Sequence, residues 1–441
     1  LLEYQKKFIE SKYKDKPIVK LLSDVIGYYN REQKPSWRLF FDRKDLSDEE
    51  LIDDRECIGN MKLVAQFEDK RSIESKYFFP EQEYKLKKGR SVIIANNNDP
   101  DRADHAGTIK ELDQINRSLV LRKGFSKEKK QLPRTLSIGE KVMEHSRFDN
   151  LNKNIYNFCE NILENKKGYE ALKSFLNRDI PSIKGIKPGD KIVKSENFDK
   201  EIPDIISKLN SSYIFVQGGP GSGKTFYTAN AIVELLKKNK KIAISANSHK
   251  VIHNLLERIE NIAINQDFVF KGLKKGNPND IDSFYDGKLI KTESNERKFI
   301  DGLKDNKILL YSGTKYHLAS WFYRSKIDYL FCEEASQFSL ADCISLGGIA
   351  TNIVLVGDQQ QLGQPTQGSH PNLSGNSVLE YLLKGKDTVP SDMGIFLTRT
   401  HRMHPNINSF ISENFYENKL LTNPQNQNRK IDFPKNFFIN K

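Results

Sequence analysis

Gly218-Gly219-Pro220-Gly221-Ser222-Gly223-Lys224-Thr225 decides how the chain is read. It fits the pattern G-x-x-x-x-G-K-[ST] at every fixed position. Upstream, Tyr213-Ile214-Phe215-Val216-Gln217 has the composition of a short buried strand. Downstream, Phe226, Ala229, Ile232, Val233 and Leu236 recur at helical spacing and should share one face. A strand, a glycine loop and a helix start together make an anion site. Glycines let successive N–H groups curl around phosphate, and the helix N-terminus adds partial positive charge. In such a loop Lys224 reaches the β- and γ-phosphates and the Thr225 hydroxyl sits on Mg²⁺. ATP and Mg²⁺ are therefore the expected ligands.

Outward from this loop, strand-like and helix-like segments alternate from about residue 205. The candidate strands are 213–217, 242–245, 307–311, 327–332, 352–356 and 394–397, which implies a parallel sheet with helices on both faces. Residues 265–300 are polar and turn-rich and read as an inserted loop or subdomain. The strand Ile327 to Cys332 runs into Glu333-Glu334-Ala335-Ser336-Gln337. Carboxylates at the C-terminal end of a central strand are where an NTPase of this type holds Mg²⁺ and polarises water. A pair fits two jobs, metal ligand and general base. A cap for the following helix is the competing reading, and the phosphate loop favours the chemical one. The strand Ile353 to Val356 ends in Gly357-Asp358-Gln359-Gln360-Gln361-Leu362, where an amide can sense a γ-phosphate.

Before residue 205 the signals are weaker. Residues 1 to about 80 read as helical, with an apolar stripe of Ile18, Leu21, Leu22, Val25 and Ile26 and a helix start at Asp45 to Leu51. Asp53 and Asp54 read as a solvated helix face, not a metal site. From Glu83 to Gly124 the period changes. Val92 to Ile94, Gly107 to Ile109 and Ser118 to Leu121 are strand-like, and residues 96–101 are turn-rich. Several short strands with basic ends (Lys85, Lys87, Lys88, Arg90, Arg122, Lys123) suggest a small β-barrel, either a nucleic-acid binder or a spacer. Residues 125–200 read as helical again.

The net charge of +12 favours a polyanionic partner, although a lysine-rich solvated surface gives the same number. No apolar run is long enough to span a bilayer, so no membrane partner is expected. The four cysteines, Cys57, Cys159, Cys332 and Cys343, form no C-x-x-C pair. They read as reduced thiols of a cytoplasmic protein.

Taken in order, the phosphate loop, the E-E-A-S-Q carboxylates, the G-D-Q-Q-Q-L run and Thr400-His401-Arg402-Met403-His404-Pro405 resemble superfamily 1 helicases, and most closely the 5′-to-3′ branch. That branch includes the nonsense-mediated-decay helicase and replication nuclease-helicases. Glu50-Leu51-Ile52-Asp53-Asp54-Arg55 also resembles proteins in which a RecB-type nuclease domain precedes such a motor. The resemblance implies a P-loop NTPase with a RecA-like sheet, preceded by a helical stalk and a small β-barrel. It implies Glu333 on Mg²⁺ in place of the usual Asp, and Glu334 as base. Asp358 and Gln361 would link the γ-phosphate to strand movement, and Arg402 would be an arginine finger from a second motor domain. His401 would stand where an aromatic ring stacks on adenine. Ser245, Asn247, Ser248, His249 and Thr314 would hold the phosphates of a single strand, DNA ahead of RNA.

The expected divisions are 1–80 helical, 81–125 barrel, 126–204 helical stalk or linker, 205–390 first motor domain and 391–441 the start of a second. The chain opens on Leu1 and ends at Lys441, which suggests an incomplete chain with a possible nuclease domain upstream. As it stands it is expected to bind nucleotide weakly and separate no duplex, with Arg402 poorly fixed and 420–441 largely without order. The reading is an ATP-driven single-strand translocase. The alternatives are an ATPase that remodels protein–nucleic acid complexes and a silent binding module.

Overall fold

Three helices open the chain: α1 (Leu2–Glu10), α2 (Pro17–Val25) and α3 (Tyr28–Lys44). The computed structural model describes residues 2–12, 16–69, 71–96, 105–124, 132–140, 145–277, 280–320 and 326–430, and these divide into two compact units. The apolar stripe of α2 is buried as its spacing requires, at Ile18, Val19, Leu21, Leu22 and Val25. The helix expected from Asp45 is not formed. Ser47 and Glu50 cap one another, with backbone N to side-chain oxygen distances of 2.8 and 3.2 Å, but only a single 3-10 turn follows, Glu50–Ile52.

Strands begin at Cys57, so the expectation of helix to about residue 80 is corrected. Six strands close a barrel: β1 (Cys57–Asp69), β2 (Ser72–Phe78), β3 (Ser91–Ile94), β4 (His105–Asp113), β5 (Ser118–Gly124) and β6 (Thr135–Glu140). The barrel therefore spans 57–140, wider than the expected 81–125. The register of β1 shifts between Leu63 and Ala65, and such a bulge breaks the inside–outside alternation that marks a strand in sequence. Ile58, Met61, Tyr77, Val92, Ile109, Leu119, Leu121 and Ile138 fill the interior. Gly107 (φ +126) is obligatory, since a β-carbon there would come within 2.6 Å of the Arg122 carbonyl oxygen. Of the turn read at 96–101, residues 97–101 lie outside the described residues.

The other unit holds residues 1–28, 148–277 and 282–441. Its remaining elements, in order, are α4 (His145–Leu163), α5 (Glu170–Asn177), α6 (Phe198–Ser207), β7 (Tyr213–Gly218), α7 (Lys224–Lys237), β8 (Ile242–Ser245), α8 (His249–Asn265), β9 (Lys271–Lys275), β10 (Ile290–Glu293), α9 (Glu296–Lys304), β11 (Ile308–Ser312), α10 (Lys315–Leu318), β12 (Ile327–Glu333), α11 (Leu340–Gly347), β13 (Ala350–Gly357), α12 (Val378–Leu383), β14 (Gly394–Leu397), β15 (Arg399–Thr400), α13 (Pro405–Phe415) and β16 (Leu421–Thr422). Among the described residues eight strands form one parallel sheet, in the order β10-β9-β11-β8-β12-β13-β7-β14.

Alternation along these strands serves two helical layers. Ile214, Val216, Ile242, Ile244, Phe331 and Val354 pack with Ile232, Leu236, Leu255 and Ile259 of α7 and α8. The alternate residues face the other way, where Tyr213 meets Phe175 of α5 with ring centroids 5.5 Å apart. The helix face expected on α7 is buried at Ala229, Ile232, Val233 and Leu236, but Phe226 is exposed.

Two expectations about this sheet are corrected. Residues 265–300 are not a separate insertion, because β9 and β10 extend the sheet in parallel register. They are held by buried Glu260 of α8, whose carboxylate accepts from Leu289 N (2.6 Å), Ile290 N (2.7 Å) and the Tyr285 hydroxyl (2.8 Å). Residues 278 and 279 of this stretch lie outside the described residues. Nor does Gly394–Leu397 open a second sheet. It pairs with β7, and Ile395 and Leu397 are buried in the same core. Residues 420–430 are ordered as well: Leu420 and Asn426 are buried, and 424–428 form a 3-10 turn. The remainder of the expected tail, 431–441, lies outside the described residues.

Candidate active site

In a parallel sheet the loops after each strand meet at one edge, so strand order dictates which residues become neighbours. Here β14, β7, β13 and β12 deliver, side by side, residues 398–402, the phosphate loop, 358–361 and Glu333-Glu334. Next to them, β8 and β11 deliver 245–249 and 313–314.

The phosphate loop has the backbone its glycines predict. Gly221 (φ +74) and Gly223 (φ +86) lie in the left-handed region, and Gly223 caps α7. A β-carbon at Gly218 would come 2.2 Å from the Ser222 hydroxyl. The Lys224 ammonium folds back and donates to the Gly218 carbonyl at 2.6 Å. The Ser222 hydroxyl is buried without a partner. Thr225 is half-buried on the first turn of α7.

Glu333 ends β12 and is buried, and its Oε1 has no partner. Burial pushes its carboxyl up to about 7, and the Glu334 charge adds to this. The Thr228 hydroxyl, donating to it, and Lys224 pull the other way. Thr228 was not singled out from the sequence, although four residues after Lys224 places it on the same helix face. Glu334 is half-buried in the left-handed region (φ +53), a strained setting for a side chain with a β-carbon. An oxygen-only set of the Thr225 hydroxyl and the unpartnered Oε1 of a buried carboxylate fits a hard cation such as Mg²⁺.

Asp358 is fully buried at the end of β13. Its Oδ2 accepts from Gln361 Nε2 (2.8 Å) and from the Tyr416 hydroxyl (2.6 Å), and its Oδ1 from Gln360 N (3.3 Å). Buried Gln217 ties the end of β7 to the same loop, donating to Gln359 Oε1 at 2.9 Å.

Residues 398–426 are pinned to this edge. The Thr400 hydroxyl donates to the Pro220 carbonyl (2.7 Å) and His401 N to the Gly221 carbonyl (2.8 Å). Leu421 N bonds Thr398 O (2.7 Å), and Asn426 Nδ2 bonds both Thr400 O (3.2 Å) and Met403 O (3.0 Å). The expectation of a poorly fixed Arg402 on a separate domain is thus corrected. Arg402 is exposed, but its backbone abuts Gly221, where an added β-carbon would lie 2.3 Å from Arg402 Cβ. The His401 ring is exposed and shares a 2.8 Å hydrogen bond between Nδ1 and Asn423 Nδ2.

At the neighbouring edge the expected strand contacts divide. Asn247 and Ser248 are exposed and Thr314 is half-buried, after adjacent strands. The Ser248 hydroxyl caps α8 by accepting from Val251 N, and Asn247 Nδ2 donates to the Gln337 carbonyl beyond the carboxylate pair. Ser245, the last residue of β8, is fully buried and its hydroxyl has no partner. The half-buried His249 turns its Nδ1 to Lys274 Nζ at 3.1 Å.

Among the described residues no helix is long and apolar enough to cross a membrane. Residues 203–366 match the family model described as an AAA domain. The DNA replication ATP-dependent helicase/nuclease dna2 of Schizosaccharomyces pombe is 29% identical over 232 residues, which cover 51% of this chain and 16% of that protein. The ATP-dependent helicase upf1 of the same organism is 25% identical over 313 residues, 60% of this chain and 32% of that one. The RecBCD enzyme subunit RecD of Buchnera aphidicola is 25% identical over 242 residues, 49% of this chain and 37% of that one. Among solved structures, an Arterivirus nonstructural protein 10 (helicase) is 11% identical at a TM-score of 0.35, covering 79% of this chain and 56% of that one. The chain spans well under half the length of each of these three curated relatives. These matches support a relationship to the superfamily 1 DNA/RNA helicases, among them those of replication and of nonsense-mediated decay.

Proposed function

We propose that the chain hydrolyses ATP at the phosphate loop and couples this to movement along a single strand of nucleic acid, 5′ to 3′, with DNA ahead of RNA as the track. The observation that carries this reading is the adjacency of two sets of groups along one sheet edge. The phosphate loop, Asp358 to Gln361 and the carboxylate pair stand beside Asn247, Ser248 and Thr314. The relative named as a DNA replication helicase/nuclease favours DNA.

The chemistry follows from the groups present. Lys224 exchanges the Gly218 carbonyl for the β- and γ-phosphates, where its charge meets a stronger acceptor. The N–H groups of Gly221 to Thr225 and the start of α7 supply further positive potential. Thr225 and Glu333 would hold Mg²⁺, which neutralises charge on the transferred phosphoryl group. Glu333 is fit for this only when ionised, and a cation beside it would favour that form. Glu334 takes the proton from the attacking water. Gln361, anchored on Asp358, follows β13, the strand beside the one that carries the phosphate loop, and would sense the γ-phosphate. Arg402, held against Gly221, supplies positive charge for the transition state. His401 stands next to it as a candidate wall for the base.

Glu334→Gln separates binding from chemistry. It keeps the shape and removes the base, so Mg-ATP affinity should hold within about twofold while turnover falls by about 10²-fold or more. Unchanged turnover would remove Glu334 from the role of base. Strand-independent turnover would remove the coupling.

A further inference from the structure

We infer that Tyr416 is a positioning residue through which the γ-phosphate sensor moves α13 and the segment that follows it. The inference rests on the nucleotide site proposed above.

Tyr416 lies 58 residues from Asp358 in sequence, yet its hydroxyl meets the Asp358 carboxylate at 2.6 Å. Both side chains are buried, Tyr416 at 2% exposure and Asp358 at 0%. The same carboxylate oxygen accepts from Gln361 Nε2 at 2.8 Å, so sensor amide and phenol share one anchor. The ring of Tyr416 also walls the phosphate loop. A β-carbon at Gly219 would lie 3.2 Å from its Cζ and 3.4 Å from its hydroxyl oxygen, with Leu420 Cδ2 at 2.7 Å. One side chain thus touches the phosphate loop on one side and the sensor loop on the other.

Its own backbone is tied to α13. Tyr416 N donates to the Ser412 carbonyl at 3.0 Å, Leu420 N to the Ser412 hydroxyl at 3.1 Å, and buried Asn408 Nδ2 to the Leu420 carbonyl at 2.7 Å. Burial and the adjacent Asp358 charge raise the phenol well above its ordinary range, so it stays a donor at any working pH. A displacement of Asp358 and Gln361 when a γ-phosphate arrives must carry the phenol along or leave a buried carboxylate short of a donor, which is costly. The sensor and the turn after α13 therefore move as one body.

The test uses the chain with Mg²⁺ and either ADP or a non-hydrolysable ATP analogue. Amide exchange across 405–421 is compared between wild type and Tyr416→Phe, which keeps the ring against Gly219 and deletes only the donor. In wild type, exchange should differ by about threefold or more between the two nucleotides. In Tyr416→Phe the difference should vanish when each nucleotide is present at a concentration that saturates that protein. A variant that keeps the wild-type difference overturns the proposal, and so does a wild type that binds both nucleotides without any difference. If wild type binds neither nucleotide, the nucleotide site itself is refuted and the proposal falls with it. Should Tyr416→Phe not fold, 3-fluorotyrosine placed at 416 reads the contact directly. Its ¹⁹F signal must shift between ADP and the analogue, and an unchanged signal overturns the proposal.

Discussion

Single residues at this edge are held by partners that their charge or strain demands. Glu333 is raised by burial, and Glu334 is kept in a left-handed backbone conformation next to it. His317 shows the same physics away from the nucleotide edge. It packs edge-on against Phe299 with ring centroids 4.8 Å apart, and burial, then the Lys275 charge, lower its imidazole to about 3. The neutral ring is the folded form, so the unfolded chain binds more protons between the ordinary histidine pKa and about 3. Stability conferred by this group is fully present above that window and is lost as pH falls through it. The slope should be about 1.4 kcal/mol per pH unit for one proton. His317→Asn should flatten the fall in unfolding free energy between pH 6 and pH 4 by an amount of this order, measured by denaturant titration. An identical slope in both proteins would show that His317 is not the group titrating.

Elements were legible where composition and period agreed. Ile214 to Val216, Tyr329 to Cys332 and Ile353 to Val356 are apolar runs, and all three lie in strands inside the sheet. Signals failed where tertiary partners satisfy an unfavourable sequence. The strand β9 reads Lys-Gly-Leu-Lys-Lys, and no pattern announces that Lys274 is fully buried beside His249. In β1 the bulge at Leu63 to Ala65 shifts the alternation. β14 was expected to begin a second domain, because four residues carry too little pattern to say which sheet they join. Glu260 carries the consequence for β10, since three donors converge on it from one short stretch. Glu260→Ala leaves the buried Ile290 N–H and the two half-buried donors unmet, and should cost about 2 kcal/mol or more. Exchange of amides in 284–293 should rise well above that of β12, and equal protection of the two would contradict the anchoring role.

At the scale of the whole molecule, the order β14-β7-β13-β12-β8-β11 converts residues scattered from 218 to 420 into one continuous edge. The candidate phosphate loop, carboxylates and sensor were readable because each motif is local. Tyr416 on Asp358 and Thr400 on Pro220 were not, because they join segments far apart in sequence. With a net charge of +12, and with Asn247, Ser248 and Thr314 proposed to meet the phosphates of the strand, single-strand binding should weaken steeply with salt and prefer no sequence. A salt titration of a fluorescent oligonucleotide that stays flat would exclude counterion release as its basis. The central claim is that the loop from Gly218 to Thr225 binds Mg-ATP, and calorimetric titration of Mg-ATP into the chain and into Lys224→Ala tests it most directly. Saturable binding to the chain, weakened by about tenfold or more in Lys224→Ala, is the predicted result. Equal binding by both proteins, or none by the unaltered chain, would contradict it.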